Sequence, residues 1–355
     1  MSKLSDEEIN ALPTILDLVE RISAHENLQI APLSDQVPIP PIYDEGRYNF
    51  VSDQRDKKVV RLMPTSQSPF TFYRGQSRYY NFCTPSLYRD NDEVEIAFHR
   101  LKLCEFSCLL EKHPVFREVA KITQVDVGAL AQHYGLTTEY LDITNSKWVA
   151  AFFASTRYDY DTDSYYPVGR DYAEGYGVLY WSKNNLFDSV NQAVFFDKNK
   201  VFGYQYFDRP TKQSSFGFLL QPGENFNTSP FFDKFLFRHD ATASEIVFNM
   251  SYRQRRFIPK DSLSVLARKI ADSRFIPRRA VVMCHAFFFP EKPIRFLEDV
   301  CIKKMVSIRE DNQLSADFNS EELKSALLRW ESFEKEDLRI RCLPVWPVTT
   351  SPLSN

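Results

Sequence analysis

The sequence predicts an α+β protein with a largely antiparallel sheet core flanked by helices. Helical patterns dominate the first half of the chain, and most strand patterns follow residue 177. Helices and strands that are segregated along a chain favour α+β over the alternating α/β class. The chain has 355 residues, of which 43% are hydrophobic and 26% charged, as in ordinary globular proteins that bury a large core.

Capping signals and apolar spacing indicate where the helices lie. Ser5-Asp-Glu-Glu8 forms a capping box before the apolar run from Ile9 to Ile22, and Pro13 breaks or restarts that helix. Gly135 is placed as the C-terminal cap of the helix before it. Further helices are predicted over 92–113, 126–134, 145–156, 261–270 and 319–331.

Short runs rich in aromatic and β-branched residues indicate the strands. The polar segment from Leu136 to Thr144 is predicted to be a loop. The run from Ala280 to Phe289 is predicted to be a central strand or a buried segment. The remaining strands are predicted over 69–74, 177–181, 201–207, 216–220 and 245–250.

Several enzyme classes are poor hypotheses because their motifs do not occur. With 10 glycines the chain contains no Walker A loop and no G-x-G-x-x-G, so P-loop hydrolysis and Rossmann-type binding are disfavoured. No H-E-x-x-H and no G-x-S-x-G occurs. The six cysteines include no C-x-x-C pair and lack zinc spacing, so we expect reduced thiols and no metal site.

Charge and hydropathy bound the partners and the location. The net charge of −3 does not indicate nucleic-acid binding, although a local basic patch stays possible. The run from Ala280 to Phe289 is too short to span a bilayer, and the N-terminus has no apolar signal region. We therefore expect a cytoplasmic protein without a membrane partner.

Arg74 is the first candidate binding residue. It ends the aromatic strand of Phe70-Thr-Phe-Tyr-Arg-Gly-Gln-Ser77, and the chain is predicted to turn at Gly75, with Gln76 following. A guanidinium fork at the end of a strand suits a phosphate or a diphosphate, because its planar donors bind two oxygens at once. The alternative is a structural arginine that ties loop carbonyls or a carboxylate.

A second candidate segment runs from His133 to Thr144. His133, Tyr134, Thr138, Asp142 and Thr144 offer donors, an acceptor and a stacking ring for a nucleotide or a nicotinamide. The alternative is a helix C-terminus with ordinary loop hydrogen bonds, in which Asp142 caps the following helix.

Two further groups lie in the second half of the chain. Gln221-Pro-Gly223 follows an apolar strand, where the glutamine can bond a ribose hydroxyl or simply belong to a turn. Arg238-His-Asp240, with Glu245 beyond it, either completes a site or forms a surface group of ion pairs.

Three of these segments resemble motifs of the FRG domain family. Tyr73-Arg74-Gly75 resembles the first motif, 133–144 with 150–154 the second, and Gln221-Pro-Gly223 followed by Phe226 the third. The resemblance covers residues 46–300. In the second motif the family more often has Pro, Arg and Trp where this chain has Thr137, Glu139 and Ile143. The expected organisation is an N-terminal helix and Pro-rich linker over 1–45, an FRG-like domain over 46–300, and a C-terminal extension over 301–355 that packs on the domain and ends in a loose tail.

More distantly, the first motif resembles that of arginine-type ADP-ribosyltransferases. This resemblance implies an ADP-ribosyltransferase-like fold in which Arg74 binds the phosphates of NAD and Thr144 precedes a site helix. A third element would supply the group that stabilises the reacting ribose, and Gln221 and Glu245 are the candidates for it. The implied chemistry is cleavage of the nicotinamide N-glycosidic bond of NAD, the substrate, with ADP-ribose passed to a macromolecular acceptor or to water.

The calls on individual residues follow from these motifs. Gln221, Glu245 and Thr144 are the catalytic candidates. The candidates for binding the nucleotide are Arg74, Gly75, Gln76, His133, Tyr134, Thr138 and Asp142. Two other functions stay open: a non-catalytic module that binds a nucleotide or a partner in a bacterial toxin-type or phage-defence system, and a globular scaffold whose motifs are all folding signals.

Overall fold

A computed structural model describes residues 4–29, 48–52, 60–64, 71–89, 92–120, 125–182, 195, 198–201, 207–311 and 313–332. Its strands are β1 Tyr48–Ser52, β2 Val60–Pro64, β3 Tyr73–Gln76, β4 Tyr140–Thr144, β5 Thr156–Asp159, β6 Ser164–Pro167, β7 Tyr176–Ser182, β8 Asn199–Val201, β9 Ser215–Leu219, β10 Phe232–Arg238, β11 Phe275–Pro277 and β12 Ser307–Arg309. Its helices are α1 Asp6–Asn10, α2 Ile15–Gln29, α3 Glu93–Leu110, α4 Pro114–Ala120, α5 Val127–His133, α6 Lys147–Ser155, α7 Asp208–Lys212, α8 Ala241–Met250, α9 Ser262–Asp272, α10 Arg278–Phe288, α11 Arg295–Lys303 and α12 Ser320–Ser332.

The central sheet has six strands in the order β10-β7-β3-β4-β9-β8. Every neighbouring pair in it is antiparallel. Two small antiparallel pairs, β1 with β2 and β5 with β6, and one parallel pair, β11 with β12, lie outside it. The predicted α+β class with a largely antiparallel sheet is therefore confirmed.

Side chains that alternate along the strands supply two cores on opposite faces of this sheet. One face carries Tyr73, Leu179 and Phe237, which pack with apolar residues of α2, α6 and α8. The other face is rich in phenylalanine and packs against the segments that follow β3 and β9, through buried residues such as Phe72 and Phe226.

Helix α6 lies directly on β3, and Gly75 permits this contact. A Cβ atom built on Gly75 would lie 1.8 Å from the carbonyl oxygen of Ala150. Gly75 is thus a strand residue, and the predicted turn at this position is wrong. The strand extends from Tyr73 to Gln76, so Arg74 lies inside it and does not end it.

Several predicted helices are confirmed together with their caps. The Ser5 capping box is present, and the first helical region divides at Pro13 into α1 and α2. Asp92 and Asp126 cap α3 and α5 through their side chains, and Ser146 caps α6.

Two predicted strands are helices. The segment 245–250 belongs to α8, because the Asp240 side chain accepts from the backbone N–H of Ala243 and starts a helix whose buried positions recur with helical spacing. The segment 280–289 lies mostly in α10, where Ala280, Val281 and Cys284 are buried. The spacing of one and four residues fits a helix face, so the apolar run misled the prediction.

The predicted loop 136–144 is also corrected. Its second half is β4, an interior strand between β3 and β9, in which Leu141 and Ile143 point to the phenylalanine-rich face. In the segment predicted as a strand over 201–207, the structure places Val201 at the end of β8 and Phe207 outside any strand, and residues 202–206 lie outside the described part.

Other predictions concern residues whose structure is not described. The proline-rich linker over 31–44, the start of the main domain near Gly46 and the tail from Pro344 lie outside the described residues, so the domain boundaries stay predictions. Within the described part of the chain, no helix combines the length and the apolar character needed to cross a membrane.

Candidate functional site

The sheet parts between its two central strands. The pairing between β3 and β4 consists of one residue pair, Tyr73 opposite Thr144. From Arg74 onward β3 continues to pair with β7, on its other side. In place of a further backbone pair, Nη1 of Arg74 donates to the backbone carbonyl oxygen of Asp142 at 2.6 Å. An opening in the sheet lies beside this side-chain bridge.

A cavity of about 290 Å³ occupies this opening. It is lined by Arg74, Gly75 and Gln76 of β3, by Asp142 and Thr144 of β4, and by His133 at the end of α5. These are six of the ten residues that the sequence indicated as site candidates. The structure therefore brings the first two motifs together around one cavity.

Arg74 is half-buried at this cavity. One of its terminal nitrogens is engaged with the Asp142 carbonyl, whereas its buried Nε has no hydrogen-bond partner among the described residues. The guanidinium thus has donor capacity that its present contact does not use.

His133 is held in one tautomer by Gln213. The Gln213 amide nitrogen donates to the carbonyl oxygen of Phe257 at 3.0 Å, which directs its Oε1 at His133 Nδ1, 2.9 Å away. A carbonyl only accepts, so Nδ1 carries the hydrogen. His133 Nε2 then lies 3.5 Å from Oδ1 of Asp142, with the side chains 1% and 37% exposed.

The remaining candidates at the cavity have structural contacts. The Thr144 hydroxyl donates to the Gln213 carbonyl at 2.7 Å and accepts from the Ser146 N–H at 3.0 Å, so it ties the end of β4 to the start of α6. Gln76 accepts from the Cys83 thiol at 3.4 Å.

Four other candidates lie outside the cavity. Tyr134 is buried among the helices, where its hydroxyl donates to Asp261 at 2.7 Å. Thr138 is fully buried and donates to Gln132 at 2.7 Å. Tyr134 and Thr138 do not line the cavity, so neither has a side-chain position that supports a direct ligand contact.

Gln221 and Glu245, the candidates for the third element, are exposed elsewhere. Gln221 begins a turn in which its N–H donates to the Glu224 carboxylate at 2.7 Å. Glu245 lies on α8 and accepts from Asn249 at 3.1 Å. The structure does not bring either side chain to Arg74.

The group at 238–240 has a structural role beside the mouth of the cavity. Arg238 and Asp240 form an ion pair at 3.4 Å. Nε2 of His239 lies 2.8 Å from the carbonyl oxygen of Ser77, which itself lines the cavity. Burial lowers the pKa of His239, so the imidazole is favoured in its neutral form.

Sequence reasoning missed part of the wall. Tyr158 and Tyr165 come from the segment after α6, most of which was predicted as a surface excursion, and Gln213 comes from the loop before β9. Burial raises the pKa of Tyr165, and that of Tyr158 rises to about 12, so both phenols are neutral near pH 7. The tyrosine-rich composition of 158–172 was a usable signal, whereas no local pattern marks Gln213.

The charge of the cavity is predominantly positive. Arg74, Arg78 and Arg157 line it, against the single carboxylate of Asp142. This balance favours an anionic ligand. In the described part of the chain, no cluster of three or more His, Cys, Asp or Glu side chains is arranged to hold a metal ion.

Comparison with known proteins bears on the first two motifs. No curated protein matches the chain, and no solved structure matches it. Residues 70–163 match the FRG domain family, a range that contains β3, β4, α5 and α6, from which most of the cavity is built. The chain therefore contains an FRG domain.

Proposed function

We propose that the cavity binds NAD and that the protein cleaves the bond between nicotinamide and ribose. One observation carries this proposal: the guanidinium of Arg74 and the carboxylate of Asp142 line the same cavity, which also has aromatic walls. A planar cation suits the diphosphate, and a carboxylate suits the positive charge that develops on the ribose.

The size of the cavity indicates which half of the dinucleotide is enclosed. Its volume of about 290 Å³ is at the lower end of the range of about 300–1,000 Å³ for small-molecule sites. NAD is larger than that, so the nicotinamide and its ribose occupy the interior. The diphosphate lies against Arg74, and the adenosine lies at the mouth, where Tyr80 offers a partly exposed ring.

The chemistry assigned to this site is heterolysis of the N-glycosidic bond. The bond between ribose C1′ and the nicotinamide nitrogen breaks, and both electrons pass to the ring, which leaves as neutral nicotinamide. The ribose becomes oxocarbenium-like, and the Asp142 carboxylate stabilises that charge. Because Gln221 and Glu245 lie outside the cavity, Asp142 takes the role first considered for them.

Binding without turnover is the second candidate function. Arg74 is partly engaged by a backbone carbonyl, and the Thr144 hydroxyl is already bonded twice. These contacts favour a rigid module that recognises a nucleotide, as expected for an accessory protein of a bacterial defence or toxin-type system.

The binding step is tested with Arg74→Ala. We expect NAD and ADP-ribose to raise the melting temperature of the wild type, since a ligand at 100 times its Kd adds about 2.7 kcal/mol to the stability. Arg74→Ala should abolish this shift. Arg279→Ala, which removes an exposed arginine of α10 that pairs with Glu111, should keep it.

Each alternative predicts a different result. A shift with release of nicotinamide supports the enzyme, and a shift without release supports the binding module. If Arg74→Ala lowers the melting temperature without ligand and NAD has no effect on either protein, Arg74 is only structural and the proposal fails.

A further inference from the structure

We infer that the acceptor of the reaction is water, with His133 as the base that takes its proton and Gln213 as the residue that positions His133. This inference rests on the proposed function and deepens it, because it names the nucleophile. The protein would then be an NAD glycohydrolase, whose products are nicotinamide and ADP-ribose.

The first argument is the tautomer of His133. Gln213 cannot turn its amide without placing its oxygen against the Phe257 carbonyl, since that contact at 3.0 Å requires a donor. Its Oε1 therefore accepts from His133 Nδ1 at 2.9 Å. With Nδ1 protonated, the lone pair of the neutral imidazole is on Nε2, the nitrogen that faces Asp142 at the cavity.

The second argument is the distance between the two acceptors. His133 Nε2 and Asp142 Oδ1 are 3.5 Å apart, beyond the usual N–H···O distance of about 2.7–3.2 Å. Both atoms can therefore contact one small donor in the cavity. A water molecule has two hydrogens to donate and keeps its lone pairs for attack on the ribose carbon.

The third argument excludes larger acceptors. The His133 side chain is only 1% exposed, so a base at Nε2 is reached through the cavity alone. NAD more than fills a cavity of about 290 Å³, whereas one water molecule takes about 30 Å³. A side chain from a macromolecule would have to displace the dinucleotide to reach Nε2.

The step balances without an oxidant or a reductant. The bond from C1′ to the nicotinamide nitrogen breaks with its electron pair on nicotinamide, and the water oxygen forms the new bond to C1′. One water proton passes to His133 Nε2 and is later released to solvent. Because general-base assistance contributes typically 10²–10⁴-fold, His133 supplies a measurable part of the rate.

The first test follows the fate of ADP-ribose. In water enriched in ¹⁸O, we expect the full-length protein to convert NAD to nicotinamide and ADP-ribose that carries one ¹⁸O. His133→Gln should lower kcat by about 10²-fold or more and should keep the NAD-induced thermal shift. His285→Gln, in α10 and outside the cavity, is the matched control and should retain wild-type turnover.

The second test addresses the positioning role of Gln213. In Gln213→Glu the carboxylate accepts from Nδ1 and favours the protonated imidazole, so the acidic limb of the kcat–pH profile should move up by about one unit or more. The other charged or titratable groups near His133 are Asp142, Arg74, Arg209 and Tyr165, and they are unchanged. A purely structural glutamine would leave the limb in place.

The results that overturn the inference differ from those that overturn the proposed function. Labelled ADP-ribose attached to a protein or nucleic acid, with no free ¹⁸O product, makes the acceptor a macromolecule. Full activity of His133→Gln removes the base. A thermal shift with NAD but no nicotinamide also rejects the inference and leaves a binding module, whereas no binding of NAD rejects the proposed function itself.

Discussion

Gly75→Ala tests whether the close contact of β3 with α6 holds the site together. The added Cβ would lie 1.8 Å from the Ala150 carbonyl oxygen, whereas ordinary van der Waals contacts of a Cβ begin near 3.4 Å. The two backbones must therefore separate by about 1.6 Å, the difference between these distances. Neither is a flexible side chain, and α6 is buried on the sheet, so local adjustment cannot relieve the clash.

We expect Gly75→Ala to lower the free energy of unfolding by about 3 kcal/mol or more, the upper range for overpacked cores. Urea denaturation, followed by circular dichroism, measures this as a lower midpoint. Gly169→Ala is the matched control, because its nearest neighbour is the movable carboxylate of Asp171 at 3.0 Å, and its stability should change by no more than about 0.5 kcal/mol. An unchanged midpoint for Gly75→Ala would refute the close packing of β3 against α6.

Two further predictions concern charges buried beside the sheet. Arg100 and Glu139 form an ion pair at 2.6 Å with side chains 11% and 16% exposed, so Arg100→Met alone should cost about 3–5 kcal/mol by leaving the carboxylate unpaired; adding Glu139→Gln should recover part of that loss in a chemical-denaturation cycle, and a purely additive cycle would contradict the coupling. Burial lowers the pKa of Lys102 from 10.5 to about 8. Between these pH values the unfolded chain binds more protons than the folded one, so the stability of the wild type relative to Lys102→Met should rise with pH, and a flat difference would exclude the shift.

Local signals predicted most of the helices correctly. A capping side chain and an apolar repeat act within one or two turns, so α1, α3, α5 and α9 could be placed from nearby residues. The same reasoning failed for α10, because an apolar run of ten residues fits a strand as well as a buried helix. Which of the two forms depends on the neighbours that cover it.

The site divides in the same way. The sequence alone identified Arg74, His133 and Asp142 as candidates, through the chemistry of their side chains and the resemblance of their motifs to a family. It could not reveal that β3 and β4 meet in a single residue pair, nor that Gln213 fixes the tautomer of His133 from 80 positions away.

What the sequence by itself determined is the fold class, the positions of most helices and the polar groups available for chemistry, since these depend on local propensity and residue type. Only the tertiary structure decided which of those groups share a cavity. That outcome depends on strand order and on contacts between residues distant in the chain, and it placed Gln221 and Glu245 outside the cavity while Asp142 lies inside it.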